Sequence, residues 1–216
     1  MIRLYTWSTP NGNKLHIMLE ECGLEYQVVP VDLGKKEQYS AGFLAVNPNA
    51  RIPAMTDSDG PGGRPFTLFE SGAMLFYLAE KTGRFLPRDA GRRYLAIQWV
   101  MFQMANIGPM FGQLHHFRSG APEKIEYAIR RYLDESRRLL GVLEGRLGGA
   151  RHLAGDEYSI ADICTWPWCR SWIHTFGDTL DDFPAVGRWF TEVGAREGVR
   201  RGMQVYERLR AGAHAK

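Results

Sequence analysis

The sequence predicts an α/β domain followed by an all-helical one. Three observations carry that prediction: a β-α-β opening, an Ile52-Pro53 step at the start of a later strand, and Glu70-Ser71 where a strand gives way to a helix. Ile2-Arg3-Leu4-Tyr5-Thr6-Trp7 is rich in β-branched and aromatic residues and reads as the first strand. Ser8-Thr9-Pro10-Asn11-Gly12 turns the chain, and residues 14–22 carry apolar side chains at 15, 18, 19 and 22, the spacing of one helix face. Residues 26–31 form the second strand, and residues 52–56 and 66–69 the third and fourth. Gly60-Pro61-Gly62-Gly63 is a turn cluster that makes the last two a hairpin. A helix over residues 72–81 follows. β-α-β and then β-β-α is a thioredoxin-like layout.

Two features of that layout point to a ligand. An X-Pro bond costs only about 0.5–1 kcal/mol to hold cis, and Pro53 at a strand start removes a donor that an edge position can spare. A cis bond there turns the Ile52 N–H and C=O outward, where they can pair with the backbone of a bound peptide. Ser71 reads as the N-cap of the following helix, whose free N–H groups and positive dipole end suit a carboxylate. Taken singly, a trans proline or a self-capping serine explains each feature; together, on adjacent elements, they favour a ligand.

Past residue 81 the period changes. Residues 82–89, Thr82-Gly83-Arg84-Phe85-Leu86-Pro87-Arg88-Asp89, read as a linker, which gives expected domains of 1–81 and 90–216. Two long helices are expected over 90–111 and 122–147, and another over 184–193. Glycines and charge make residues 194–211 read as a weakly packed tail. Ser159-Ile160-Ala161-Asp162 fits a capping box with Asp in place of Glu, and Tyr158 with Ile163 fits a hydrophobic staple.

With these motifs in order, the chain resembles a cytosolic glutathione transferase along nearly its whole length. The strand-entry motif is Asn47-Pro48-Asn49-Ala50-Arg51-Ile52-Pro53-Ala54. The ligand-carboxylate motif is Leu68-Phe69-Glu70-Ser71-Gly72-Ala73-Met74-Leu75-Phe76-Tyr77-Leu78, and the second-domain box starts at Tyr158. Ser8-Thr9-Pro10-Asn11-Gly12, the run from Val31 to Gln38 and the run from Gly112 to Phe117 resemble the bacterial nu class most. That resemblance implies an N-terminal thioredoxin-like β-α-β-β-β-α domain, an all-helical bundle domain, and glutathione-dependent reduction of disulfides and peroxides.

It also implies roles. Thr9 and Asn11 would donate hydrogen bonds to the glutathione thiolate, although as residue types both are good helix caps as well. Tyr5 and Ser8 are rivals, because other classes use a Tyr or a Ser near here. The amide of Gln38 would hold the glycyl carboxylate, with Lys35 and Lys36 as lesser helpers. The Ile52 backbone beside Pro53 would pair with the peptide, Arg51 could add charge, and Glu70 and Ser71 would take its γ-glutamyl ammonium and carboxylate. Arg131 would reach the glutathione of a neighbouring subunit in a homodimer. The segment 112–117, with His115 and His116, would line the space over the sulfur.

Composition bounds the remainder. The chain has 216 residues, 44% of them hydrophobic, enough for two small domains with real cores. Lys and Arg number 27 against 24 Asp and Glu, and a net charge of +3 argues against nucleic-acid binding. No apolar run of about 18 residues occurs and no secretory leader is evident, so a cytoplasmic protein without membrane partners is expected. Adjacent histidines diverge on a helix and no ligand-spaced cluster lies near them, so no metal is expected. Cys22, Cys164 and Cys169 read as buried small hydrophobes outside any Cys-x-x-Cys motif, and Trp166, Trp168, Trp172 and Trp189 read as core. The first turn carries Ser8-Thr9-Pro10-Asn11 and no cysteine, so a thiol reaction there must borrow its nucleophile from the cosubstrate. A noncatalytic binding or interaction protein on the same fold is the alternative, since fold alone does not carry function.

Overall fold

The computed structural model describes residues 1–214, which divide into two compact units. The first holds β1 (Ile2–Thr6), α1 (Pro10–Cys22), β2 (Tyr26–Pro30), the short α2 (Ala41–Leu44), β3 (Ala54–Asp57), β4 (Phe66–Phe69) and α3 (Ser71–Thr82). The sheet order is β2-β1-β3-β4, with β1 parallel to β2 and antiparallel to β3. The thioredoxin-like domain is therefore present with the expected strands.

Three of the boundaries that differ from the sequence reading have a local cause. Helix α1 starts at Pro10 because Thr9 takes the N-cap, its Oγ1 accepting from the Gly12 N–H at 3.1 Å while proline fills the first helical position. A Cβ on Gly12 would lie 2.5 Å from the Trp7 carbonyl oxygen, so only glycine lets the helix leave the strand this closely. β3 starts at Ala54, two residues late, because Ile52 and the buried Pro53 lie outside the ladder. Ser71 is the first residue of α3, and the cap position belongs to Glu70, at φ 70° and with no side-chain cap bond.

The last helix, α9 (Glu197–His214), belongs to this first unit and is not a weakly packed tail. It lies along α1, where Gly202 admits the Ile17 backbone, which a Cβ would meet at 2.7 Å. Arg196 forks onto the buried Glu21 with bonds of 2.6 and 3.0 Å, and Arg201 reaches Glu20 at 3.0 Å. The glycines that read as breakers are the points of close approach. With α9 on one side and the sheet on the other, α1 is buried from Gly12 to Leu19, its polar Asn13, Lys14 and His16 included.

The second unit spans residues 85–194. The helix expected over 90–111 is α4 (Ala90–Phe102) and α5 (Gly108–His115), joined by a π turn at Gln103–Ile107, and a second π turn, His116–Gly120, follows. Helices α6 (Glu126–Gly148), α7 (Ile160–His174) and α8 (Pro184–Gly194) complete it. Asp162, wholly buried, accepts from the N–H groups of Leu153 and Ser159 at 3.0 Å each, from Ser159 Oγ at 3.1 Å and from Trp189 Nε1 at 2.8 Å. The capping box thus pins α7 to α8 as well as to its own first turn. Trp166, Trp168, Trp172 and Trp189 are all core, and Phe111 packs on Trp172 at 5.2 Å.

His16 links the packing of α1 to pH. It is fully buried, Nε2 lies 3.2 Å from Thr6 Oγ1, and burial, with the Arg208 charge second, pushes its pKa from 6.5 down to about 3. Below pH 6.5 the unfolded chain binds this proton and the folded chain does not, so stability falls as pH drops toward 3. Urea unfolding should show this site contributing a loss of about 2–3 kcal/mol between pH 7 and about pH 4.5. A His16→Gln variant should lose that part of the slope; an unchanged slope would refute the assignment.

Candidate active site

Sheet register gathers the expected site residues at one end of the first unit. Ala54 stands opposite Tyr5 on β1 and opposite Phe69 on β4, so the exits of β1 and β4 and the entry of β3 lie in one row. Thr6 pairs with Pro30 across the parallel ladder, and the Val31 N–H donates to the Thr6 carbonyl at 2.9 Å. The chain leaving β2 therefore departs at the same end. Thr9 and Asn11, Gln38, Ile52 and Pro53, and Glu70 and Ser71 all belong to segments attached there.

Each segment is held by its own chemistry. The loop before β3 is pinned by Asn47, whose Oδ1 accepts from the Asn49 N–H at 2.9 Å and whose Nδ2 donates to the Arg51 carbonyl at 2.5 Å. Ala50 takes a left-handed φ of 54°, the Ile52–Pro53 bond is cis, and Ile52 packs on the cluster of Val31, Phe43 and Ala54. No hydrogen bond engages the Ile52 N–H or C=O among the described residues. Arg51 is exposed, its Nη1 donating to the Ala50 carbonyl. Gln38 lies in the 3-10 turn Glu37–Tyr39 with a buried Oε1 that has no partner among the described residues. Lys35 and Lys36 are exposed, as solvated side chains are.

At the far edge the first bond of α3 runs from the Met74 N–H to the Glu70 carbonyl, so the N–H groups of Ser71, Gly72 and Ala73 precede the helical ladder. Ser71 is buried and Glu70 exposed. Sequence reading passed over one neighbour: Lys14 has no exposed surface, and its Nζ donates to Ser71 Oγ at 3.3 Å. The available signal was its place four residues before Met18 on the apolar face of α1.

The rivals for thiolate contact differ. Tyr5 packs edge-on against Phe43 at 6.3 Å, within the apolar cluster under the sheet end. Thr9 spends an oxygen lone pair on its cap, and its hydroxyl proton is still available to an anion. Ser8 and Asn11 are half-buried beside it.

Within the second unit, the His115 ring stacks on Phe176 at 5.6 Å and Phe117 on Tyr132 at 5.5 Å. Among the described residues no group of three His, Cys, Asp or Glu side chains is arranged to hold a metal. Arg131 is exposed on α6 and, with Met110, Tyr127, Arg130 and Arg138, lines a surface hollow of about 610 Å³.

Comparison with known proteins now decides the family. The family model described as Glutathione S-transferase, N-terminal domain matches residues 1–80, and that for the C-terminal domain matches residues 100–197. The chain belongs to the glutathione S-transferase family. It is 48% identical over 197 residues to the Escherichia coli disulfide-bond oxidoreductase YfcG, a match covering 91% of each chain. It superposes with a TM-score of 0.90 and 50% identity on a Burkholderia graminis glutathione transferase solved with two glutathione molecules per subunit, covering 93% of this chain and 86% of that one. A Pseudomonas putida glutathione transferase solved with one glutathione disulfide per subunit gives 0.91 and 43%, covering 94% and 91%.

The transferase has three cysteines, none of them in the segments attached to this sheet end. Cys164 and Cys169 are buried, Cys164 donating to Gln103 Oε1 at 2.9 Å; burial pushes the Cys169 pKa up to about 12. Cys22 is half-buried, more accessible than its sequence suggested, beside Thr82 Oγ1 at 3.5 Å, and burial, the largest influence, raises its pKa too. A thiol reagent at neutral pH should therefore label the native protein far more slowly than the urea-unfolded chain. Burst labelling of a native cysteine would show an exposed thiolate and overturn this assignment.

Proposed function

We propose that this transferase is a glutathione-dependent disulfide reductase in which bound glutathione supplies the attacking thiol. The observation that carries the reading is the convergence of the Thr9–Asn11 turn, the Ile52 backbone and the Glu70–Ser71 helix start at one sheet end, on segments that carry no cysteine. The glutathione-bound relatives and the disulfide-bond oxidoreductase support it.

Each end of the tripeptide has matching chemistry. The γ-glutamyl carboxylate goes to Ser71 and the N–H groups ahead of the α3 ladder, and its ammonium to Glu70. The cysteinyl backbone pairs strand-like with Ile52 beside Pro53. The glycyl carboxylate goes to the Gln38 amide, with Arg51 adding charge. The sulfur faces the N-terminus of α1, where Thr9 and Asn11 donate to the thiolate.

A free thiol with a pKa of about 8.5 is only a few per cent ionised at neutral pH. Lowering it by one to two units takes about 1.4–2.7 kcal/mol, within reach of one or two charge-assisted hydrogen bonds. The thiolate attacks one sulfur of the substrate disulfide, forming a glutathione mixed disulfide and expelling the other sulfur as a thiolate that takes up a proton. A second glutathione thiolate then attacks the mixed disulfide at the glutathione sulfur, giving glutathione disulfide and the second substrate thiol. Two glutathione molecules are oxidised as one disulfide is reduced. Organic hydroperoxides and electrophiles are further substrates of the same thiolate. Such chemistry suits the cytoplasm, where glutathione is kept reduced.

We also assign a homodimer, in which Arg131 of one subunit meets the glutathione of the other. Its support is a family resemblance and the exposed position of Arg131 beside other cations on α6.

Three measurements test these assignments. Calorimetry should show Ser71→Ala weakening glutathione by about 1–3 kcal/mol; unchanged affinity refutes the carboxylate site. A triple variant with Cys22, Cys164 and Cys169 replaced by Ala should still reduce a small dialkyl disulfide with glutathione, and a folded but inactive variant contradicts the mechanism. Sedimentation should give a dimer, and Arg131→Ala should weaken glutathione by about 1.5–3 kcal/mol without dissociating it. A monomeric wild type, or a dimeric variant of unaltered affinity, rejects the shared site.

A further inference from the structure

Lys14 is an unusual residue to find with no exposed surface. Burying an ammonium costs several kcal/mol, and lysine is among the residues least often fully buried unless paired. Its side chain runs from α1 to the start of α3, where Nζ lies 3.3 Å from Ser71 Oγ. An ammonium has three protons and no lone pair, so in this contact the serine oxygen accepts. The single hydroxyl proton of Ser71 is thereby directed away from Lys14.

We infer that Lys14 is a positioning residue for the ligand carboxylate: it fixes Ser71 as a donor and adds a desolvated positive charge behind it, so that the pocket selects an anionic group. The inference rests on the glutathione reading above and concerns only its γ-glutamyl end. A serine at the start of a helix takes neutral acceptors and anions alike. A buried cation behind the serine discriminates between them, because charge interactions strengthen where water is excluded.

The arrangement also explains how one helix serves both ends of the ligand. Thr9 and Asn11 stand at the N-terminus of α1, and Lys14 stands on its next turn with its head at Ser71. α1 packs on α3 and α9 and bonds to β1 through His16 and Thr6, so the sulfur end and the carboxylate end are set by a single body.

The test compares two ligands, glutathione and the analogue lacking only the γ-glutamyl carboxylate, 4-aminobutyryl-cysteinyl-glycine. Wild type should bind glutathione more tightly than the analogue by about tenfold or more, the range for a charge-assisted bond. Lys14→Met should narrow that difference by about threefold or more, by weakening glutathione while leaving the analogue unchanged, with Ser71 and the helix N–H groups keeping the remainder. If wild type fails to discriminate, the carboxylate assignment at Ser71 falls. If wild type discriminates and Lys14→Met discriminates equally, or loses both ligands in proportion, only the role of Lys14 is overturned.

Should Lys14→Met fail to fold, the wild-type protein gives the answer by nuclear magnetic resonance. The ammonium resonance of Lys14 should shift on saturation with glutathione and hold its position on saturation with the analogue. A resonance that ignores glutathione, or answers both ligands alike, rejects the inference.

Discussion

Everything at the proposed site depends on one row of the sheet, in which Ala54 is paired on one side with Tyr5 and on the other with Phe69. β3 is buried on both faces, at Ala54, Met55 and Asp57, so its register is held by the ladders it makes on either side with β1 and β4. Once Ala54 is fixed, Pro53 and Ile52 must emerge beside the exits of β1 and β4, and the turns at Thr9 and Glu70 follow from the chain's next steps. The loops contribute ligand groups, but the sheet decides where they stand.

The helical unit is organised around a carboxylate used structurally. Asp162 has no exposed surface and accepts four hydrogen bonds, one from Leu153 and two from Ser159 near it in sequence, and one from Trp189 on α8. Burial raises its pKa despite these bonds, and removing it would strand several buried donors at once. Asp serves here in place of the longer Glu because α7 begins against Leu153 and Trp189, which use the remaining lone pairs. The two π turns flanking α5 add a second irregularity. Gln103 opens the first and accepts from Cys164, taking that thiol into the core.

Thiol chemistry and architecture divide cleanly in this member of the family. The chain's own sulfurs are sheltered: burial opposes ionisation at Cys22 and Cys169, and Cys164 is spent on a hydrogen bond. The N-terminus of α1 is the complement of that arrangement. It presents hydroxyl and amide donors with a positive dipole end and no thiol, so it suits an anionic sulfur brought from outside. Thr9 as helix cap and Thr9 as thiolate donor are compatible, because the cap uses the oxygen and the anion would use the proton.

Much of this was legible in the residues. The strands, the hairpin, the capping box and the turns at the sheet end are local patterns set by side-chain period and turn chemistry, and these act over a few residues. Boundaries slipped where a cap or a ladder decided them: α1 begins at Pro10 because Thr9 caps it, and β3 begins at Ala54 because its ladder with β1 and β4 starts there. What the sequence determined by itself was therefore the order of elements, the absence of a cysteine at the first turn and the residues of the segments proposed to carry ligand chemistry. Only the tertiary structure decided that glycine-broken α9 packs tightly on α1, and that Lys14 reaches Ser71 across 57 residues of chain. Glycine reads locally as a breaker and lysine as solvated; close backbone approach and a buried hydrogen-bond partner reverse both, and neither exists until distant segments are brought together.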